Sequence, residues 1–491
     1  MTMYGILRHI LIFMSVVLLS NTVSAQVDSN LSKDAFDKHR KEMLDEFESF
    51  RSDAVEKYNG YAEAMRAEYN AFISSVKNLW GKDNVAEDTK TVWVEYGDDL
   101  KSRSIVDFEK GKIEVEILLD DVSENESSII NQRLMNAVDD LLNSRGETLP
   151  YKSDIDKKQP LSQSPILTGL VDFSKYNIQE KMQSKDNKPA SLAVNPKKKT
   201  PPAPVVKGKT LNLGADNKKV VVNRSDRTIK RKLEKNVKKS ANSEQYADNI
   251  VADDYIADGT SDVEGDTGDV IVSNSTETVA EAIVEQSQQV TTTVIGEDDR
   301  VRKVVKIEMA LVSDNLSKNA AVYKDYVEQY SRKFEIEQPL IFAVMEQESC
   351  FNPKAKSWVP AYGLMQLVPT SGGYDAYRYV YKNDWVPTQS YLYIPHQNIE
   401  LGTAYLRILM NQFSSVIDPD CRRLCVIASY NTGAGNVSRA FTGNTNIKKA
   451  IPLINEYSYQ QLFEYLTSRL GSDEARKYVS GVSKRREKYI K

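Results

Sequence analysis

Between residues 174 and 300 the chain changes character twice. Residues 174–240 carry 19 Lys or Arg against five Asp or Glu, and residues 241–300 carry 15 Asp or Glu against a single Arg. Both blocks are short of aromatics and rich in polar residues, with runs such as "NPKKKTPPAPVVKGK". A segment of this kind cannot bury enough apolar surface to offset the entropy of ordering its backbone. The composition therefore predicts a low-complexity, disordered insertion over 174–299. The remainder of the 491 residues is too long for one core and divides into two or three domains. A basic tract could adsorb nucleic acid or an anionic envelope polymer. A tether whose oppositely charged halves attract each other is the preferred reading.

The first residues, "MTMYGILRHILIFMSVVLLSNTVSAQ", carry Arg8, an apolar run from Ile10 to Leu19, and small residues at Ser24 and Ala25. This reads as a secretory signal over 1–25, cut after Ala25. The run is shorter than the roughly 20 residues a spanning helix needs. No cysteine lies near the cut to accept a lipid, and no other spanning segment is expected. Export argues against a nucleic-acid partner. The three cysteines, Cys350, Cys421 and Cys425, allow one disulfide with one thiol left over, or are three small buried hydrophobes. Their spacing, with only three histidines in the chain, does not resemble a zinc site. No metal or cofactor is expected.

An N-terminal domain over 26–173 begins with a long helix at 31–80. Met43, Phe47, Phe50, Ala54, Tyr58, Tyr61, Met65, Tyr69, Phe72, Val76 and Trp80 repeat every 11 residues, which keeps one stripe on one face of a nearly straight helix. Gly60 weakens it and Gly81 ends it. Strand-like runs follow at "TVWVEY" and "RSIVDFEKGKIEVEIL", with a hairpin turn at Glu109–Lys112. There Ile113, Val115 and Ile117 alternate with Glu114 and Glu116, predicting one buried and one wet face. A helix at 127–143 presents Ile130, Leu134, Val138 and Leu141. After the insertion, "RVRKVVKIEMALV" within a 300–317 connector alternates like a strand and is expected to complete the earlier sheet. Residues 318–491 read as mostly helical. The fold class is α+β: a small N-terminal α+β domain followed by a mainly α domain.

At "AVMEQESCFNPKA" two glutamates stand two apart. Gln338–Pro339 starts a helix and Pro353 stops it. Ile341, Val344, Met345, Glu348 and Phe351 follow helical spacing, so Glu348 lies on the apolar face while Glu346 points elsewhere and is expected to be solvated. A carboxyl on a dry face has a raised pKa and can donate a proton near neutrality. A buried glutamate paired to a basic residue would occupy the same position, and spacing alone does not choose between them.

Further motifs bear on the choice. Glu348-Ser349-Cys350-Phe351-Asn352-Pro353 resembles the E-S-x-F-N-P signature of lytic transglycosylases with a lysozyme-like fold. Gly363-Leu364-Met365-Gln366 resembles their G-L-M-Q motif. Ser429-Tyr430-Asn431-Thr432-Gly433 resembles A-Y-N-x-G with serine for alanine, and Tyr478-Val479 resembles the late tyrosine motif. Within the family the resemblance is greatest to the membrane-bound murein transglycosylase C group and spans roughly 70–172 and 300–491. The charged insertion has no counterpart, and the lipid-accepting cysteine usual in that group is missing, so a soluble periplasmic form, at most loosely associated with the outer membrane or wall, is expected.

The resemblance implies a lysozyme-like domain over 318–491. It implies peptidoglycan glycan strands as substrate, with cell-envelope proteins as further partners, and cleavage to 1,6-anhydromuramyl products. Glu348 would be the acid and then the base. Ser349 and Gln366 would hydrogen-bond to sugar or to Glu348. Met365 and Tyr430 would form cleft wall, Asn431 would hold an N-acetyl group or the glutamate, and Tyr478 would orient Glu348. Packing is the other reading for Met365 and Tyr430, and turn structure for Gln366. Two alternatives stand beside this one. A hydrolytic muramidase needs a second carboxylate, with Asp375 and Asp384 the nominal candidates. A non-catalytic peptidoglycan-binding scaffold has no need of the acid.

Overall fold

The computed structural model of the protein describes residues 29–120, 127–178 and 274–490. The proposed signal and most of the charged insertion lie outside them. Helix α1 (Ser29–Trp80) runs unbroken through Gly60 and stops at Gly81, whose φ of 79° suits a residue without a Cβ. Its stripe is buried only in part. Ala54, Met65, Val76 and Trp80 are enclosed, whereas Met43 and Phe50 are exposed.

Strands β1 (Val92–Tyr96), β2 (Ser102–Asp107), β3 (Lys112–Leu119), β4 (Val290–Ile295) and β5 (Val301–Ala310) form one antiparallel sheet in the order β1-β2-β3-β5-β4. The β2–β3 hairpin turns at Gly111, with φ of 66°. As expected, "RVRKVVKIEMALV" supplies β5 beside β3, with Val115 opposite Ile307. Ile113, Val115 and Ile117 pack under α2 (Ser127–Asn143) and α3 (Asn274–Gln286) through Leu134, Val138, Ala280 and Ile283. The opposite face packs Leu118, Val294 and Val304 on Val76 and Trp80. Each fully enclosed side chain of this size stabilises the fold by about 1.5–3 kcal/mol.

Two expectations need correction. Glu116 is not on a wet face: it is buried, with Arg103 Nε 2.6 Å from its carboxylate, and the Arg103 guanidinium lies 4.0 Å from the Trp80 ring centre. The wide aromatic end of α1 covers that part of the sheet. Order also resumes before residue 300, because α3 and β4 lie inside the acidic block. The charge count hid the apolar stripe of α3 at Val279, Ala280 and Ile283. The "VTTTV" run shows no alternation because β4 is an edge strand, exposed except at Val294.

The C-terminal domain comprises α4 (Asn315–Val322), α5 (Lys324–Phe334), α6 (Gln338–Ser349), α7 (Tyr374–Tyr381), α8 (Gln389–Tyr393), α9 (Pro395–Gln412), α10 (Pro419–Thr432), α11 (Ala434–Thr442), α12 (Ile447–Ile454), α13 (Tyr459–Arg469) and α14 (Asp473–Lys488). Helix α6 is apolar nearly all round and is the central element: Leu340 to Met345 are all buried. Helices α9, α10 and α14 surround it with Leu401, Ala404, Val426, Ile427, Val479 and Val482. Helix α1 reaches this domain too, packing Ala54 against Tyr374 and Val386. All three cysteines are free and buried, Cys350 with the sheet core and the other two in the helical core. Among the described residues no helix is long and apolar enough to cross a membrane.

Candidate active site

The two glutamates of α6 are both buried. Glu346, expected to be solvated, is 3% exposed. Lys488 Nζ and the Tyr489 hydroxyl donate to it at 2.6 and 2.7 Å, and Arg485 Nε lies 3.3 Å away. Its outward direction is covered by α14. That helix comes close because Gly481 faces Gln347, where a Cβ would sit 2.3 Å from Oε1. The basic cluster Arg485, Arg486 and Lys488 was the available signal for a buried acid opposite.

Glu348 is 6% exposed. Burial pushes its pKa above the ordinary 4.5, against Lys90 and Tyr478, which pull it down. Lys90 Nζ stands 3.5 Å from Oε2. The two readings of this position thus coincide: the acid is dry and also faces a basic residue. The Tyr478 hydroxyl is close enough to Glu348 to favour its ionised form, yet the geometry falls short of a formed bond, leaving it a buried hydroxyl with no partner. Burial first, and the neighbouring Glu348 second, hold the Tyr478 and Tyr430 hydroxyls well above the usual tyrosine range.

Past Ser349 the chain leaves the helix through two left-handed residues, Cys350 and Phe351, with φ of 49° and 65°. Non-glycine residues rarely adopt this conformation, and here it reverses the chain at once. The reversal aims Asn352 at the N-terminal domain. Its amide donates to the carbonyls of Thr89 and Lys90, each at 3.4 Å, and Lys356 N donates to Thr89 O at 3.2 Å. Beside it, buried Lys354 donates to Glu147 O at 2.7 Å and lies 3.9 Å from Asp88. Burial lowers the Lys354 pKa and raises that of Asp88, each opposed by the other's charge.

The G-L-M-Q segment is built around Asn398 of α9. Its amide donates to Tyr362 O and Leu392 O at 2.9 and 2.7 Å, and its carbonyl accepts from Met365 N at 2.8 Å. Gly363 is required there. Its φ is 76°, and a Cβ would sit 2.4 Å from Asn398 Nδ2 and 2.2 Å from Leu392 O.

Several of the predicted contact residues have partners within the protein. Met365 is fully buried, and its sulfur would lie 2.3 Å from a Cβ on Gly402. Ser349 donates toward Met345 O and Leu364 O, not to Glu348. The Gln366 amide nitrogen bonds Ala355 O and Gly363 O, its φ is 48°, and its Oε1 is buried without a partner. Turn structure accounts for the nitrogen but leaves the oxygen free. Tyr430 gives its hydroxyl to Met365 O at 2.8 Å. Asn431 is half-buried at the end of α10. Glu348, Tyr430 and Tyr478 are therefore brought together, while Ser349, Met365 and Gln366 hold the floor beneath them.

Lys90, Lys354 and Asn398 were missed. Asn398 and Lys354 carry no local pattern, and Lys90 sits in a polar stretch ahead of β1, where only the fold brings it near. A hollow of about 750 Å³ in the N-terminal domain, lined in part by Glu95, Arg133 and Arg145, contains none of the site residues. Asp384 accepts from Tyr374 at 2.7 Å and pairs with Arg378 at 2.9 Å. Asp375 is raised by burial and opposed by Arg51 and Arg378. Among the described residues neither is one of the groups acting most on Glu348, and the carboxylate that does act on it is the exposed Glu474.

Residues 325–451 match the family described as the transglycosylase SLT domain. Residues 58–188 match the one described as membrane-bound lytic murein transglycosylase C, N-terminal domain. The chain is 39% identical over 191 residues to the membrane-bound lytic murein transglycosylase C of Cronobacter sakazakii, covering 38% of this chain and 52% of that protein. It is 40% identical over 190 residues to the protein of the same name from Klebsiella pneumoniae subsp. pneumoniae, with the same shares of 38% and 52%. The chain spans about half the length of the curated relatives it matches. Among solved structures it is similar to the 70 kDa soluble lytic transglycosylase of Escherichia coli, at 27% identity over 34% of this chain and 24% of that one, with a TM-score of 0.27. The chain thus carries an SLT transglycosylase domain and an N-terminal domain of the transglycosylase C type.

Proposed function

We propose that this chain is a peptidoglycan lytic transglycosylase. It would cleave the β-1,4 bond between N-acetylmuramic acid and N-acetylglucosamine without consuming water and leave 1,6-anhydromuramyl ends. The observation that carries the reading is the buried carboxyl of Glu348, at the glutamate of the E-S-x-F-N-P motif, with its pKa raised by that burial.

Hydrolytic glycosidases use two carboxyls, one on each side of the bond. A transglycosylase needs one, because the nucleophile is the C6 hydroxyl of the muramyl residue itself, already held beside C1. Glu348, whose pKa its dry setting raises, donates its proton to the glycosidic oxygen as the C1–O bond breaks and the glucosamine leaves as an alcohol. The C6 oxygen then bonds to C1, and the Glu348 carboxylate takes the C6 hydroxyl proton. The enzyme returns to its starting state and no water enters the product. Tyr478 orients Glu348 with its free hydroxyl, Tyr430 fixes the floor through Met365, and Asn431 has an amide available for the muramyl N-acetyl group. Gln366 Oε1 is a further acceptor for a sugar hydroxyl.

The relatives' names place them at a membrane, and the N-terminal sequence pattern supports export. An envelope location is coherent with the substrate. The test is mass analysis of muropeptides from purified peptidoglycan, with Glu348→Gln in parallel. Products lighter by one water than reducing-end muropeptides, absent with the variant, are expected. Reducing-end products from the unaltered protein would replace this reading by a hydrolase.

A further inference from the structure

The N-terminal domain places a cation, Lys90, against the buried acid. We propose that Lys90 is a positioning residue for the Glu348 carboxyl, its ammonium holding the carboxylate between proton donation and proton return. This rests on the acid–base role proposed above for Glu348.

The geometry is specific. Lys90 Nζ lies 3.5 Å from Glu348 Oε2, with the acid buried and the lysine side chain 41% exposed. The lysine is not there by chance of a mobile surface chain, because its backbone is fixed from both sides. Asn352 bonds the carbonyls of Thr89 and Lys90, and Lys356 N bonds Thr89 O. On the other side Val92 N donates to Thr89 Oγ1 at 3.1 Å, and Val94 N donates to Asp88 Oδ1 at 2.9 Å, tying the segment to β1. Asn352 is four residues beyond Glu348 on the reversed chain. The same motif that presents the acid therefore also grips the segment that presents its counter-charge.

The chemistry asks for such a charge. The carboxyl must release a proton and then survive as an anion in a dry site until the C6 hydroxyl gives one back. An unpaired buried carboxylate is strongly disfavoured. Among the described residues, the groups that act most on Glu348 are Lys90 from the segment before β1 and Tyr478 and Glu474 from α14, with Tyr430 from α10 beside them. Among these described groups only Lys90 is cationic. Tyr478 can donate a hydrogen bond, Tyr430 has given its hydroxyl to Met365, and Glu474 opposes ionisation. A lysine half open to water holds the anion without locking it in a permanent ion pair. Such a pair would leave no acid to donate.

The test reads Glu348 directly. Glutamate-labelled full-length protein is titrated by carboxyl carbon NMR, with the Glu348 signal assigned by its absence in Glu348→Gln. In Lys90→Met the midpoint is expected to move up by about one pH unit. The alkaline limb of kcat/KM should move with it, because loss of the cation keeps the acid protonated to higher pH, while kcat falls roughly tenfold. Lys90→Arg should restore both. An unmoved midpoint in folded Lys90→Met overturns the inference, as does a lowered kcat that Arg fails to rescue. The readout does not depend on turnover. A moved midpoint in a protein that yields no anhydro ends would sink the proposed function and leave the hold of Lys90 on Glu348 standing. Anhydro ends with an unmoved midpoint would do the reverse.

Discussion

Lys90 and Glu348, 258 residues apart in sequence, stand 3.5 Å apart in the fold. The contact joins the N-terminal domain to the acid of the helical domain, and Asn352 and Lys354 brace it. The site is thus shared by two domains of one chain, and the consequences can be measured.

Glu348→Gln should abolish turnover, with a fall of at least about a hundredfold, without unfolding the protein. The folded-state pKa is raised, so the acid binds its proton more tightly folded than unfolded. Stability of the unaltered protein is then full below the ordinary value of 4.5 and declines as pH rises through the folded-state pKa. The variant lacks that decline. Its melting temperature relative to the parent should rise between acid and neutral pH in paired thermal scans.

Glu346→Ala should do the opposite. It leaves Lys488, Arg485 and Tyr489 without their acceptor, and because Lys488 is half exposed and can be rehydrated the loss is about 1–3 kcal/mol. Denaturant midpoints should drop strongly, while kcat per folded molecule stays near the parent value. Equal stability with lost kcat would mean the two glutamates have been assigned the wrong way round.

Much of this was legible in the chain. The α1 stripe, the hairpin at Gly111, the return of β5 beside β3 and the dry position of Glu348 all follow from periodicity and turn chemistry. The motif residues were legible, but the partners their side chains take within the fold were not. Ser349, Met365 and Tyr430 meet the carbonyl of Leu364, the bare Gly402 and the carbonyl of Met365, partners that are fixed by tertiary packing and carry no local signature. Glu346 was misjudged because helical spacing shows which side a residue faces, not whether a distant helix covers it. Lys90 was invisible for the same reason.

Gly363→Ala should destabilise the site by roughly 2–4 kcal/mol. It forces an alanine to φ near 76° and drives a methyl into Leu392 O and Asn398 Nδ2. Urea denaturation and product yield should fall together, since Asn398 also holds Met365 N. A neutral Gly363→Ala would show that the loop can move away from Asn398 freely.

Tyr478→Phe removes a buried hydroxyl that has no formed partner. Stability should hold or rise slightly, because an unsatisfied polar group is lost. Turnover should drop roughly tenfold if the hydroxyl orients Glu348 during the reaction. Unchanged kcat in this variant would assign Tyr478 to packing alone.

Asp375→Asn, Asp384→Asn and Glu474→Gln should each retain most of the activity. Asp384 is engaged with Arg378 and Tyr374, Asp375 lies by Arg51, and Glu474 is exposed on α14. A loss matching that of Glu348→Gln in any one of them, with the protein folded, would identify the second carboxylate of a hydrolase.

The most direct measurement is digestion of peptidoglycan in water labelled with heavy oxygen, followed by mass spectrometry of the new muramyl ends. If the C6 hydroxyl is the nucleophile and Glu348 moves only protons, the ends are 1,6-anhydro and carry no label. Labelled reducing ends would show that water attacks C1, and the single-carboxyl account of this site would be wrong.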